Sequence, residues 1–201
     1  MKVKRFWPLY LAVLLVVVLL GSALFVTRTS AAGQKYRWDI ISVDFAAHSI
    51  SAGGHASAIA NDGSTITLTG EGTFNAASNF GNRDVTGGGT WQTIDSSGTT
   101  ASGTYQVTSF VSFTVAPGTT RLPIDNIGAI KDQRAGMLFV TIQYSDGSPG
   151  VLAVSCDLLG TPDSVFEGIR VSKGFVDYWN GTAPVPGVNG NRTNFHILGD
   201  G

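Results

Sequence analysis

The 201-residue chain predicts an all-β domain. The expected form is an antiparallel up-and-down β-barrel of about nine or ten strands, with a two-sheet β-sandwich as the alternative and an N-terminal hydrophobic helix ahead of it. Three observations predict it. Apolar residues alternate with polar ones at period two, Asp-Gly and Gly-rich turns punctuate those runs, and no stretch long enough for a crossover helix shows helical periodicity.

The runs come in order. Ile66 and Leu68 alternate with Thr65, Thr67 and Thr69. Tyr105, Val107, Val111, Phe113 and Val115 alternate with Thr104, Gln106, Thr108, Ser112 and Thr114. Leu138, Val140, Ile142 and Tyr144 follow, then Leu152, Val154, Cys156 and Leu158. The β-branched and aromatic content suits a half-buried pleated surface. Asp62-Gly63 precedes the Ile66 run and Asp146-Gly147 separates two strong strands, which predicts a hairpin of 137–145 with 151–159. A further pair is expected at Phe166–Val171 and Gly174–Trp179, and a short last strand at Asn194–Leu198. Gly-Thr-aromatic recurs at Gly72-Thr73-Phe74, Gly89-Thr90-Trp91 and Gly103-Thr104-Tyr105. Each reads as a strand beginning after a bend with its ring turned to the core, and together they suggest a meander.

Ahead of this lies a different segment. Lys2, Lys4 and Arg5 precede twelve unbroken apolar residues, Leu9–Leu20, and apolar character resumes from Ala23 to Val26. That pattern reads as a signal peptide with small-residue cleavage positions near Ala23 or Ala31–Ala32, or as a membrane anchor, a transmembrane helix over residues 9–26. Either way positive charge stays cytoplasmic and the rest crosses, so the expected localisation is extracytoplasmic, secreted or membrane-anchored. The division is then 1–32, signal peptide or anchor, and 33–201, one β-rich domain. Without 1–32, four of the thirteen bases leave, nine face fourteen acids and the net charge is −5. A mildly acidic domain has no electrostatic footprint for nucleic acid. Cys156 is the single cysteine, so no internal disulfide is available, and its apolar run reads as a buried thiol.

The segments Gly70–Phe74, Gly87–Trp91 and Gly103–Tyr105, with Thr161–Gly168 and Gly174–Asn180, resemble uncharacterised exported bacterial β-rich proteins. The resemblance implies export and a single domain, and brings no catalytic residues with it.

None of the high-specificity catalytic or nucleotide motifs is present. Three weaker groupings remain. Asp44, His48 and His55 supply imidazole and carboxylate ligands for a metal ion, though Ser51-Ala52-Gly53-Gly54 makes the link between the histidines flexible. Glu167, with Asp177 as a second carboxylate, is the acid–base candidate, because Val165, Phe166 and Ile169 surround it and burial would raise its pKa. Tyr178 and Trp179 are adjacent, so strand alternation sends one ring inward and one outward beside Asn180. Two segments lack strand character, 116–135 with Arg121 and Asp125, and 180–193 with Pro184 and Pro186. They are the expected binding rims. His196 alternates with Phe195 and Ile197 and is expected to face away from the core. No cofactor is expected. The favoured function is an exported or surface-tethered binding domain for a small molecule, glycan or protein. The alternative is a small exported enzyme using acid–base or metal chemistry.

Overall fold

Strands account for nearly all the regular structure in the computed structural model, which describes residues 33–120, 122–182 and 190–199. In chain order they are β1 Lys35–Asp44, β2 Ser49–Ala52, β3 Ala56–Ile59, β4 Thr65–Leu68, β5 Glu71–Asn75, β6 Gly88–Ile94 and β7 Thr100–Ala116. After these come β8 Ile124–Asp125, β9 Gln133–Tyr144, β10 Pro149–Cys156, β11 Gly168–Lys173, β12 Val176–Tyr178, β13 Asn180–Thr182 and β14 Arg192–Leu198. A single 3-10 turn, Ile130–Asp132, precedes β9.

Six of these close into an antiparallel barrel, in the order β9-β14-β1-β5-β6-β7 and back to β9. The all-β barrel expectation holds at that level. Fourteen strands are present among the described residues rather than nine or ten. The surplus lies in pieces of two to four residues such as β2, β8 and β13, too short to display an alternation. Within the ring only β5–β6–β7 follow one another as a meander. The ring is completed instead by β14, which pairs with β1 along Lys35↔Leu198 to Ile41↔Arg192 and with β9 at Phe195↔Arg134 and His196↔Gln133.

Outside the ring the sheet continues in two wings. β10, β11 and β12 extend from β9, while β4, β3 and β13 extend from β6. The chain passes from one wing to the other through Trp179 alone, and β11 packs against β3. The expected hairpins are present. Gln143↔Pro149 to Gly136↔Cys156 pairs β9 with β10, and β11 pairs with β12. The two Asp-Gly-Ser turns work alike. Gly63 and Gly147 take φ of +87° and +88°, and Asp62 and Asp146 each accept the backbone N–H and hydroxyl of the serine two residues on.

The three rings of the Gly-Thr-aromatic repeat, Phe74, Trp91 and Tyr105, are all buried. Phe74 packs edge-on to Phe113 with centroids 4.7 Å apart, and Trp91 packs edge-on to Tyr144 at 5.8 Å. Trp38 is buried among glycines. A Cβ on Gly87, which also has φ +139°, would lie 2.7 Å from its ring, so the close approach of β1 to this bend requires glycine. β7 departs from the expected phase. Register shifts between Val107 and Ser109 and between Phe110 and Ser112 place Phe110 in the core and leave Val115 exposed.

The expected N-terminal helix and the transmembrane helix over residues 9–26 fall outside the described residues. Among the described residues no helix is long and apolar enough to cross a membrane, and the expectation of a transmembrane helix is corrected accordingly.

Candidate functional site

The end of β1 carries Ile41 and Val43, and β2 brings Ile50 beside them. These three form a small apolar cluster separate from the main core, with Leu122 and Ile127 packed on it from the segment 117–133. That segment is a strap. Near its start Thr119 exchanges two backbone hydrogen bonds with Leu159, at 2.9 and 3.0 Å, and the Thr161 hydroxyl donates to the Pro117 carbonyl. Further on, β8 lies parallel to β2.

Asp125 anchors this second part. Its Oδ2 accepts Gln133 Nε2 and His196 Nε2, both at 2.6 Å. Its Oδ1 accepts the backbone N–H groups of Ile127 and Gly128 at 2.9 and 3.0 Å. Burial pushes this carboxyl upward, but the four donors outweigh it and hold it below the ordinary aspartate value. His196 takes its expected face, away from the main core, yet the strap covers that face and it is 2 % exposed. Its Nδ1 has no hydrogen-bond partner among the described residues. On the neighbouring strand Arg37 forks onto Asp39 and also meets Glu71. Asp39 is completely buried, and burial raises its carboxyl more than Arg37 lowers it.

Between the strap, the β1–β2 cluster and the 157–167 connection lies a cavity of about 450 Å³. Its apolar surface comes from Ile41, Val43, Phe45, Ile50, Leu122, Leu158 and Leu159. Its polar surface comes from Thr119, Thr120, Thr161, Gln133, Asp157, Glu167, Arg192, Thr193 and Asn194. Glu167 enters from just before β11. Its Oε2 accepts the Asp157 N–H at 2.5 Å and its Oε1 the Thr193 N–H at 2.7 Å, so it ties the end of β10 to β14. Desolvation raises the carboxyl to about 7, with the two N–H donors and the Arg192 charge pulling the other way. Arg192 is the first residue of β14 and stands opposite Ile41 in register. Directly opposed residues share a face, which puts its side chain on the cavity side. Its guanidinium makes no hydrogen bond or ion pair among the described residues.

The other expected residues are scattered. Asp177 is exposed on β12. Tyr178 points inward and is buried, while Trp179 points outward and is 36 % exposed beside the exposed Asn180, so the one-in, one-out expectation holds. None of these four lines the cavity. Arg121 lies outside the described residues. Asp44 Oδ1 accepts the N–H groups of Ala46 and Ala47, closing the β1–β2 turn in which His48 has φ +53°. His55 is exposed just before β3. Among the described residues no three His, Cys, Asp or Glu side chains group to hold a metal ion, so Asp44, His48 and His55 do not form the expected centre. Cys156 is fully buried, and burial raises its thiol well above the ordinary value.

Arg192, Gln133 and Thr193 were not picked out as site residues by sequence reasoning. Arg192 sits inside Asn191-Arg-Thr, where the eye goes to the glycosylation pattern. In the fold Asn191 is already engaged, its Oδ1 accepting the Ser57 N–H. No family model, no curated protein and no solved structure matches the chain.

Proposed function

We propose that the chain is an extracytoplasmic binding domain that takes a small molecule in the cavity between strap and barrel. One observation carries the reading: a cavity of about 450 Å³ that combines an apolar wall, Ile41, Val43, Ile50 and Leu122, with polar groups that include Glu167 and Arg192. That is the usual constitution of a small-molecule site. Delivery across a membrane is supported by Lys2, Lys4 and Arg5 ahead of the apolar run Leu9–Leu20. The strap belongs to the 116–135 segment that lacked strand character, where a binding rim was expected.

The test is binding of anilinonaphthalene sulfonate, an amphipathic anionic fluorophore, to the purified protein. Saturable enhancement is expected, abolished in Val43→Trp, whose indole would fill the cavity, and retained in Trp179→Ala, which lies outside it. Equal binding by Val43→Trp would overturn the assignment.

A second reading has one observation in its favour. A cavity carboxyl raised to about 7 suits general acid–base chemistry near neutral pH. Against it, both Glu167 oxygens already hold backbone N–H groups from two strands, and Asp177 is not a cavity residue. Turnover of generic ester or glycoside substrates, lost in Glu167→Gln, would favour the enzyme.

A further inference from the structure

We infer that the cavity selects amphipathic carboxylates, an alkyl chain ending in a carboxylate, and that Arg192 is the receptor for the anionic end. The inference rests on the cavity-binding reading above and names its ligand class.

The apolar half of the argument is the wall of Ile41, Val43, Ile50 and Leu122. These side chains accept a hydrocarbon chain and give no reason to hold a polar body. The polar half is an imbalance among the charges. Among the described residues three titratable side chains line the cavity: Asp157, Glu167 and Arg192. The Asp157 residue is exposed, so water screens its carboxylate. Glu167 is committed on both oxygens to the Asp157 and Thr193 N–H groups. Arg192 makes no hydrogen bond or ion pair among the described residues, acts on Glu167 only through its charge, and is partly buried. A guanidinium cannot shed its proton to escape desolvation. Its planar fork of donors matches a carboxylate, and such a charge-assisted pair is roughly twice as strong as a neutral hydrogen bond. A ligand that fills the apolar wall and ends at Arg192 satisfies both halves at once.

Glu167 adds a signature. With its carboxyl raised to about 7, it is partly protonated near neutral pH. An anion arriving beside it favours the protonated form, so binding takes up protons at Glu167 and tightens as pH falls from 8 to 6. The other ionisable groups acting on Glu167 are Asp157, which raises it, and Arg192, which lowers it. The buried Cys156 thiol, itself raised by Glu167, stays neutral throughout. Among the described residues, those that the strap, β1, β2 and the turn between the two strands present to the cavity carry no charge.

The experiment is calorimetric titration of the full-length protein with decanoate, decanol and decylamine, three ligands with the same chain and different heads. Decanoate is expected to bind about tenfold or more tightly than the other two, and more tightly at pH 6 than at pH 8. At pH 7, titrations in buffers of different ionisation enthalpy should report proton uptake that Glu167→Gln removes. Arg192→Gln should lose about tenfold for decanoate and leave decanol unchanged. Arg192→Lys, which keeps the charge, should retain most of the decanoate affinity and serves as the folding control. Decanol binding as tightly as decanoate, or Arg192→Gln leaving decanoate unaffected, would overturn the ligand class while the cavity reading stands. Decylamine binding most tightly would overturn it too, by showing that the two acids set the preference. If none of the three binds, the cavity reading falls with it.

Discussion

Glu167 shows how one side chain serves structure while carrying a measurable pH dependence. Its carboxyl moves from an ordinary value of 4.5 to about 7 in the fold. Between those values the native protein holds a proton that the unfolded chain does not. The stability this contributes is complete below pH 4.5 and is lost as pH rises through 7, at a cost on the order of 3 kcal/mol. Urea unfolding at pH 5 and pH 8 should show wild-type protein losing that much more than Glu167→Gln. Asp39 is also raised by burial, but it is present in both proteins and cancels in the difference. An identical pH response in the two would remove Glu167 as the titrating group. Its raised pKa was legible in the sequence, since Val165, Phe166 and Ile169 announced an apolar setting. Its two backbone partners were not, because the fold brings Thr193 to it from 26 residues further along the chain.

At the scale of elements the strap is held by few groups, each with several bonds. Asp125 accepts from two side chains and two backbone N–H groups. Asp125→Ala leaves those donors without their acceptor, at a cost of about 2–4 kcal/mol. Hydrogen exchange should locate the effect, with amides of 122–132 exchanging much faster and those of β9 and β10 changing little. Uniform acceleration across the chain would mean that the strap is part of the barrel's cooperative unit. The anchored strand β8 spans two residues and pairs in parallel, so no alternation could reveal it. The strong strands behaved otherwise. β4, β9 and β10 alternate in sequence and adjoin Asp-Gly turns, and β9 pairs with β10 as expected. β7 failed in phase because a bulge inserts a residue without leaving a mark in composition. The cover over His196 was hidden for a related reason. Alternation tells which face a residue takes, but not whether a distant segment covers that face.

For the molecule as a whole, the cavity draws on the end of β1, the strap, the 157–167 connection and the start of β14. These are far apart in the chain, and no local pattern brings them together. Period-two reasoning recovers strands and their hairpin partners, and the closure of the ring through β14 is a nonlocal fact beyond it. That closure makes a prediction of its own. Removing residues 192–201 deprives β1 of its partner from Lys35 to Ile41, opens the barrel and takes away Arg192 and the Thr193 N–H together. The truncated chain should lose cooperative thermal unfolding as followed by near-ultraviolet circular dichroism. A sharp transition close to that of the intact protein would show that the wings alone sustain the core.

The pairing of the first strand with the last also sets a clock. A chain made from its N-terminus has β1 in hand with its nearby partners β2 and β5, yet on its other edge β1 waits for β14. Contacts of such sequence separation form slowly, since loop closure must come before the reward. Until β14 arrives the barrel therefore stays open along one seam, between β1 and β9.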